Sequence, residues 1–467
     1  MVKIAIVGAG AAGLFAANEL GKTKDSNLEI YVFEQGAEVN KRFCPLKNGY
    51  ACAQCFPCKI MSGIGGAGLF SSGILNLHKH IGGNLEELCN KARLNVEEII
   101  KQIDDFFLEH GAPPTLFDPH ENGKKLHELK RRCAAVDVRF IPIRQRLIGS
   151  ENTPKVIKSI QKFLENDLGI QIFPNREVIS FDKERRLTFK DGKTEQFDYI
   201  LFAPGRWGMI WLANQCEING IKTFHEPLDI GVRVEVPSII LEEICEEIQR
   251  DPKFHIITPT YNDFIRTFCV NHKGYVVKET YEEKIVGVNG HQLKKDGDSE
   301  NSNFAFLIRQ FLTSPLEDTT EYGRSISKQT SILGGYKPLI QTLGDLRSGH
   351  RSRASLISRN LVQPTLRDAT PGDIAMAFPY RFIVDILEGL KILDKIIPGV
   401  NNASTLIYAP EFKRSAKRID TNEFLESRAI KNMFFAGDGA GISRGIIGAA
   451  VTGIIAACGI LRKLHLE

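Results

Sequence analysis

The chain has 467 residues, too many for one ordinary hydrophobic core, so its length predicts two or three domains. A composition of 43 % hydrophobic and 25 % charged residues is typical of a soluble globular protein and excludes a disordered or fibrous chain. The net charge is only +4, from 60 basic and 56 acidic residues, which argues against a nucleic-acid-binding protein.

The first predicted elements are a buried strand and a glycine-rich turn, in KIAIVGAGAAGLFAANEL. The apolar run at residues 4–7 is typical of a strand buried on both faces. In the Gly-x-Gly-x-x-Gly that follows, Gly8 permits a tight turn, Gly10 lets a pyrophosphate approach the backbone, and Gly13 lets the next helix lie close to the strand. The alternative is a strand–helix turn with no ligand.

The second predicted strand, LEIYVFEQG, ends at Glu34, about twenty residues beyond the last glycine. A carboxylate at this position can bind both ribose hydroxyls, and it would repel the 2′-phosphate of NADP. The pattern therefore predicts NAD or the AMP half of FAD.

A cysteine-rich segment follows at residues 43–58, with the spacing C-x7-C-x2-C-x2-C. Such thiolates could hold an iron–sulfur cluster or a tetrahedral zinc ion, could form a redox dithiol, or could be buried thiols without function. These alternatives stay open, and the predicted metal ligands are Cys44, Cys52, Cys55 and Cys58. The glycines just beyond, from Gly65 to Gly68, would let the backbone pass close to a flat ring, or they form a flexible loop.

The middle of the chain predicts helices at residues 84–110 and then a hairpin with Asp191-Gly192 at its turn. FDYILFAPGRWG, residues 197–208, predicts a strand that runs into Ala203-Pro204-Gly205. From residue 206 to about 403 the chain is rich in strand patterns and turns helical after residue 370, which predicts a mixed or antiparallel sheet in a second domain.

The last motif, IKNMFFAGDGAGISRGIIGAAVTGIIAA at residues 430–457, predicts a strand, a Gly437-Asp438 step and a long helix of small residues. An Asp at such a strand end can accept a hydrogen bond from a ribityl hydroxyl, and the helix N-terminus can place positive potential on a flavin ring. This second element favours FAD over NAD. The apolar run from Gly445 to Leu461 contains four glycines and is short for a membrane span, so we expect a buried helix and no membrane.

Together these motifs resemble the FAD-binding domain of the two-domain flavoprotein superfamily. More narrowly, they resemble the uncharacterised FAD-dependent dehydrogenases, an NAD(P)/FAD-dependent oxidoreductase family. The resemblance is carried by GIGGAGLFSSGIL at 63–75, GYVV at 274–277, AFPYR at 377–381 and GDGAGISRGIIGAAVTG at 437–453. It implies an α/β fold: a discontinuous Rossmann-like FAD-binding domain (1–205 and 404–467, with a helical insertion at about 84–135) and an inserted α+β substrate or cap domain (206–403).

The motifs and the resemblance also imply the residues that would bind FAD. These are Gly8, Gly10, Ala11, Ala12, Gly13, Glu34, Gln35, Arg42, Gly65, Gly66, Ala67, Gly68, Val178, Ala203, Pro204, Gly205, Gly437, Asp438, Gly445, Ile446 and Ile447. The predicted catalytic residues are Arg444, Arg351, Tyr380 and Arg381, with His350 and Arg353 as further candidates. An arginine would hold a carboxylate or stabilise a reduced flavin, and a tyrosine or histidine would move a proton.

The predicted function is FAD-dependent oxidoreduction, with hydride passing between an unknown small-molecule substrate and flavin N5. The chain has one dinucleotide fingerprint, so a nicotinamide or another electron donor would dock without a Rossmann domain of its own. The alternative is an electron-transfer or RNA-modification partner protein, which basic residues such as Lys124, Lys125, Arg131 and Arg132 would favour. Ten cysteines in so long a chain, with no secretory leader before Lys3, predict a reducing, cytoplasmic setting.

Overall fold

The computed structural model of the protein describes residues 1–45, 53, 55–71, 73–280, 285–291, 297–314 and 317–466. The chain forms two compact units. Unit 1 comprises Met1–Leu116, Gln145–Glu226 and Ala416–Glu467, and unit 2 comprises Phe117–Arg144 and Pro227–Ser415.

The described helices are α1 (Ala11–Gly21), α2 (Leu85–Lys91), α3 (Val96–Glu109), α4 (Gly123–Ala134), α5 (Thr153–Asn166), α6 (Met209–Ile218), α7 (Ile239–Glu247), α8 (Thr319–Leu333), α9 (Leu343–Arg347), α10 (Ala354–Ile357), α11 (Tyr380–Asp394) and α12 (Gly445–Leu464). Short 3₁₀ helices include Val39–Lys41, Gly66–Phe70, Ile374–Met376 and Asp438–Ala440.

The described strands are β1 (Val2–Val7), β2 (Leu28–Phe33), β3 (Ile74–Leu77), β4 (Leu116–Phe117), β5 (Arg139–Ile141), β6 (Arg144–Leu147), β7 (Gln171–Phe173), β8 (Val178–Phe181), β9 (Arg186–Phe189), β10 (Thr194–Gln196), β11 (Tyr199–Phe202), β12 (Thr223–Phe224), β13 (Leu228–Pro237), β14 (Lys253–Ile257), β15 (Phe264–Asn271), β16 (Tyr275–Thr280), β17 (Val286–His291), β18 (Asn301–Gln310), β19 (Leu339–Thr342), β20 (Thr370–Pro371), β21 (Leu406–Lys413), β22 (Arg418–Ile419) and β23 (Met433–Phe435).

Unit 1 is built on a five-stranded sheet of order β23-β11-β1-β2-β7, in which every neighbouring pair is parallel. Its central strand β1 is apolar because both faces are covered. Ile4 and Ile6 join one buried cluster, while Ala5 and Val7 join another on the opposite face. A parallel sheet with helices and a core on both faces is a doubly wound α/β unit, so the predicted Rossmann-like fold class is confirmed.

Helix α12 is long and apolar enough to cross a membrane by length and composition, but 72 % of its most apolar window is buried in the protein. It packs against α1 so closely that a methyl group on Gly453 would lie 2.1 Å from the carbonyl oxygen of Ala12. The small residues of this helix therefore serve close contact with α1, and the predicted buried helix is confirmed.

Unit 2 is built on an eight-stranded sheet of order β20-β19-β21-β13-β18-β15-β14-β5. All neighbouring pairs are antiparallel except β19 with β20. Alternate residues of β13 and β18, including Ile230, Val232 and Phe306, form an apolar core together with residues of α4, α7 and α11. The predicted second domain with a largely antiparallel sheet is present.

The unit boundaries differ from the predicted 205/206 and 403/404. Unit 1 extends to Glu226 because β12 pairs with β22 after the chain returns. Residues 117–144, which include the last part of the predicted helical insertion, belong to unit 2 because β5 pairs with β14. Hydrogen-bonded partners more than a hundred residues away decide both assignments, and local patterns do not contain that information.

Candidate functional site

Three glycine-rich turns meet at one edge of the parallel sheet in unit 1. They follow the carboxyl ends of β1, β11 and β23, which are adjacent in the sheet although they come from distant parts of the chain. Strand β1 lies where the strand order reverses, with β2 and β7 on one side and β11 and β23 on the other. In doubly wound sheets this switch point opens a crevice at the carboxyl edge where ligands bind.

The glycines at this edge are required by close backbone approach. A methyl group on Gly8 would lie 2.2 Å from the carbonyl oxygen of Ala203, and one on Gly13 would lie 1.9 Å from the carbonyl oxygen of Gly8. Likewise, a methyl group on Gly439 would lie 2.3 Å from the carbonyl oxygen of Gly205. The turns after β1, β11 and β23 are thus packed backbone to backbone.

Helix α1 points its N-terminus at this edge. Gly10 occupies the N-cap position without a side-chain hydrogen bond, and the first turn contains no acidic residue. The N–H groups of a helix N-terminus and the helix dipole both favour an anion. This turn fits a pyrophosphate, because no side chain of its own competes for those donors.

The carboxylate of Glu34 organises the neighbouring loops. It is buried at the carboxyl end of β2, where Oε2 accepts from the backbone N–H of Ala9 at 3.0 Å. Oε1 accepts from Gly36 at 2.8 Å and from Gly63 at 2.9 Å. An ionised carboxylate offers about four acceptor sites. The three hydrogen bonds therefore leave capacity on Oε2 for a ribose hydroxyl.

The predicted flavin-facing glycines, Gly65 to Gly68, lie against the Gly8–Gly13 turn. The N–H of Gly65 donates to the carbonyl of Ala9 at 2.8 Å, and a methyl group on Gly66 would lie 3.1 Å from Cα of Gly10. A methyl group on Gly68 would lie 3.3 Å from the side chain of Ile446, at the start of α12. The structure therefore brings segments 8–13, 65–68 and 445–447 together, as their common assignment to one ligand requires.

Arg42, a predicted FAD-binding residue, contacts the loop at residues 59–64. Its buried guanidinium donates to the backbone carbonyls of Lys59 at 3.0 Å, Ile60 at 2.6 Å, Ile64 at 2.9 Å and Gly63 at 3.4 Å. Burial lowers the pKa of Arg42 to about 10, against the opposing effect of nearby carboxylate and thiol groups. Arg42 thus holds the loop that precedes Gly65, and its contact with FAD stays a prediction.

Asp438 lies in the turn after β23. Its carboxylate accepts from the hydroxyl of Ser443 at 3.2 Å and from the N–H of Gly445 at 3.2 Å, so it ties the turn to the start of α12. Burial raises the pKa of Asp438, and the positive charges of Arg206 and Arg444 oppose that effect.

The other predicted FAD-binding residues also belong to unit 1. The side-chain amide of Gln35 donates to the hydroxyl of Ser62 at 3.1 Å. Val178 starts β8 and joins the buried cluster that contains Val7, while Ile447 joins the cluster on the other face of the sheet. The remaining ones, Ala11, Ala12, Ala67, Pro204 and Gly437, lie within the turns and helix starts described above.

The predicted catalytic residues fall into both units. Arg444 is the N-cap of α12 in unit 1, and its backbone N–H donates to the carbonyl of Gly82 at 2.7 Å. Arg351 and Tyr380 are exposed in unit 2. Arg381 forms a two-pronged ion pair with Asp263, with Nε–Oδ2 and Nη2–Oδ1 distances of 2.5 and 2.6 Å. The guanidinium of Arg381 thus has a structural partner, and the catalytic roles of all four residues stay predictions.

In the cysteine segment, Cys44 is buried, Cys55 and Cys58 are half-buried, and Cys52 lies outside the described residues. The backbone N–H of Lys59 donates to Sγ of Cys55 at 3.5 Å. None of the described cysteines belongs to a group of three or more candidate ligands within mutual reach of one metal ion.

A group of that kind among the described residues is in unit 2: Glu242, Glu246 and His272. Sequence reasoning did not single it out, although Glu242 and Glu246 are four residues apart on one helix face. The ammonium of Lys273 already bridges the two carboxylates, at 3.4 and 2.7 Å. This group is accordingly an ion-pair network.

Comparisons with known proteins agree with the C-terminal motif. Residues 387–467 match the family described as Glucose inhibited division protein A. This stretch contains β23, the Gly437-Asp438 turn and α12. Over 99 % of its length the chain is 25 % identical to an "Uncharacterized protein" of Clostridium beijerinckii, of which the match covers 81 %.

Solved structures give only remote likenesses. They include glycine oxidase from Geobacillus kaustophilus (12 % identity, 99 % of this chain and 95 % of that one, TM-score 0.38). They also include L-proline dehydrogenase from P. horikoshii (13 % identity, 99 % and 94 %, TM-score 0.41). Neither likeness is close enough to carry an argument about fold or function, so the fold assignment rests on the sheet topology.

Proposed function

We propose that this protein is an FAD-dependent oxidoreductase. The observation that carries the proposal is the convergence of three glycine-rich turns, from the start, middle and end of the chain, at the switch point of the parallel sheet in unit 1. A simple NAD-binding domain needs the first of these turns; the third, with Asp438 and the N-terminus of α12, supplies the additional element expected for a flavin. The C-terminal family match coincides with that element.

The residues present fit FAD by their donor and acceptor chemistry. In our proposal the N-terminus of α1 binds the pyrophosphate, Glu34 binds the adenosine ribose, and Asp438 accepts from a ribityl hydroxyl. The segment from Gly65 to Gly68 has no bulky side chain, so its backbone can lie close to the ligand. When bound, FAD supplies two-electron redox chemistry at N5.

The finer proposal is hydride transfer between a carbon of a small-molecule substrate and N5. Arg444, at the start of α12, would stabilise negative charge on the reduced ring, as its position after the Gly437–Gly441 turn suggests. Tyr380 would supply or accept a proton. A nicotinamide is the proposed electron donor, and the cytoplasm is the proposed setting.

The alternative of a macromolecular partner protein gains no support from the basic residues of α4. In unit 2 Lys125 pairs with Glu247, Arg131 with Glu128 and Arg132 with Glu243. Paired surface charges of this kind present little net potential to a polyanion.

We propose no metal centre at the cysteine segment, because none of the described thiols belongs to a group of ligands within reach of one ion.

The test is FAD binding by the purified full-length protein, followed by its visible absorption spectrum and by isothermal titration. Iron, zinc and acid-labile sulfide are assayed on the same anaerobic sample. We expect flavin bands at one FAD per chain and reduction of the flavin by NADH or NADPH. Flavin bands with no reduction by any donor would remove the oxidoreductase assignment, and no FAD binding at all would remove the central claim.

Glu34→Gln is the decisive variant. Glu34 now accepts hydrogen bonds from three backbone N–H groups. A glutamine would place its NH₂ group against at least one of these donors, and the remaining hydrogen bonds would lose their charged acceptor. Because hydrogen bonds to charged groups contribute about 1.5–3 kcal/mol, we expect FAD affinity to fall by tenfold or more. The matched control is Glu29→Gln on the same strand, where the carboxylate accepts from the hydroxyl of Tyr31 at 2.8 Å.

A further inference from the structure

The eight-stranded sheet of unit 2 carries a polar face opposite its apolar core. Residues paired directly across antiparallel strands point to the same face. Two neighbouring rows cross this face. The first row is Lys413, Asp229, Arg309, Phe264 and Ile257, and the second is Glu411, Gly231, Leu307, Arg266, His255 and Arg139.

A single buried carboxylate serves two arginines at the centre of these rows. The Asp229 side chain has no exposed area; it accepts from Nε of Arg309 at 3.1 Å and from Nη2 of Arg266 at 3.0 Å. Each guanidinium carries five N–H donors, and a carboxylate offers about four acceptor sites. Asp229 therefore cannot satisfy both guanidiniums. The side chains of Arg309 and Arg266 keep 33 % and 16 % of their surface exposed.

Two aromatic rings hold further positive charge on this face. The ammonium of Lys253 and the guanidinium of Arg266 lie 4.9 and 5.0 Å from the ring centre of Phe268. The guanidinium of Arg309 lies 5.4 Å from the ring centre of Phe264. A ring face attracts a cation and fixes its position on the sheet beside the carboxylate that it also pairs with.

The nearby acids are shared in the same way as Asp229. Glu411 is fully buried, and it pairs with Arg233 at 2.6 Å and with Lys413 at 2.8 Å. Lys253 pairs with Asp251. Among the described residues named here, the cations of this face outnumber the carboxylates. Positive side chains gathered on one half-buried face raise the local potential and favour the approach of an anion.

His255 lies within this surface and reports its potential. Its ring is 4.9 Å from the ring of Phe264. The pKa of His255 is lowered to about 4, mainly by burial. The positive charges of Arg266, Arg139, Arg309 and Lys253 lower this pKa further. His255 is therefore neutral at pH 7 and can hydrogen-bond a ligand without adding charge.

We propose that this face of unit 2, centred on Arg309 and Arg266, is the binding site for the anionic group of a small-molecule substrate. The shared chemistry is an oxyanion, carboxylate or phosphate, which a guanidinium fork binds with two hydrogen bonds. The partial burial of the two arginines fits a small ligand rather than a polymer. Calling the ligand a substrate rests on the proposed oxidoreductase function; the anion binding itself does not.

The sharpest test opposes two variants. Arg309→Gln removes a fork and should weaken anion binding by tenfold or more. Asp229→Asn keeps the shape but removes the competing carboxylate, so it should tighten anion binding several-fold. The probes are succinate and inorganic phosphate, with neutral succinamide for comparison, measured by isothermal titration on the full chain. The matched control is Arg324→Gln, which removes an arginine of α8 that pairs with Glu321.

A ligand that belongs to this face should also change His255. Bound anion should raise the pKa of its ring, followed by NMR of histidine-labelled protein, and Arg309→Gln should abolish that rise. A binding preference between succinate and phosphate decides whether the natural anionic group is a carboxylate or a phosphate. Arg309→Lys, which keeps the charge and loses the fork, should fall between wild type and Arg309→Gln and serves if the glutamine variant fails to fold.

The proposal is overturned if neither anion binds saturably, if succinamide binds as well as succinate, or if Arg309→Gln and Arg324→Gln behave alike. FAD content is read on each sample from its visible absorption. Anion binding by protein that takes up no FAD would keep this site and remove the oxidoreductase function. FAD binding without anion binding would do the reverse.

Discussion

Asp385→Asn should stabilise unit 2, and the gain should grow with pH. Asp385 lies on α11 with no exposed area, and its Oδ1 accepts from the hydroxyl of Thr258 at 2.6 Å. Its other oxygen, Oδ2, is buried and has no hydrogen-bond partner among the described residues. The carboxyl group lies under the influence of Asp263, which Arg381 already holds in a two-pronged ion pair. Two carboxyl groups can share a hydrogen bond only if one carries a proton. The raised pKa of Asp385 and the lowered pKa of Asp263 assign that proton to Asp385 below about pH 6. An asparagine would donate the same hydrogen bond permanently.

The magnitude follows from the pKa of Asp385, which burial, together with the neighbouring charge of Asp263, raises from 3.8 to about 6. A shift of this size corresponds to about 3 kcal/mol of native-state penalty once the group is ionised. Below pH 4 the folded and unfolded states both keep the proton, and no penalty applies. As the pH rises from 4 to 6 the unfolded chain loses its proton first, so stability falls; above 6 the full penalty remains. Of the total, about 1.5 kcal/mol should develop between pH 5 and 8.

The assay is hydrogen exchange of the α11 amides, supported by urea unfolding, at pH 5, 6, 7 and 8. Wild type should lose protection as the pH rises, and Asp385→Asn should flatten that dependence and exceed wild type at pH 7–8. Glu321→Gln, an exposed carboxylate on α8, is the control and should follow wild type at every pH. A variant that is destabilised equally at all pH values would refute the shared proton.

Two further variants test how the candidate site is built. Gly13→Ala should destabilise unit 1 by at least about 2 kcal/mol, because the added methyl group would lie 1.9 Å from the backbone oxygen of Gly8. The control is Gly123→Ala, which has no neighbour within 4 Å and should stabilise α4 by about 0.5–1 kcal/mol. Equal melting temperatures for the two variants would contradict the packing argument. Arg42→Gln should leave the buried carbonyl of Ile64 without its charged donor and lower the stability by about 1–3 kcal/mol. It should also speed limited proteolysis within residues 59–66. The control Lys41→Gln changes an exposed neighbouring residue and should leave the proteolysis rate unchanged.

The central parts of the candidate site could be predicted because their signals are local. A glycine fingerprint after an apolar strand, and a carboxylate at the end of the next strand, are each fixed within a few residues of sequence. Gly8, Gly13 and Glu34 sit where that logic puts them. Each position is dictated by the geometry of one strand–turn–helix unit, which needs no knowledge of the rest of the fold.

Long-range partners decided the rest. The sequence does not distinguish an arginine that binds a ligand from one that binds another part of the protein. Only the folded chain shows that Arg42 holds loop carbonyls and that Arg381 pairs with Asp263. The alternation in β15 and β18 reveals that Arg266 and Arg309 leave the apolar face, but not that they meet over Asp229. The sequence by itself determined the strands, the turns and the class of fold, because backbone preference and hydrophobic pattern act locally. Only the tertiary structure decided which charges meet, because a side chain's role depends on partners that strand pairing brings from far along the chain.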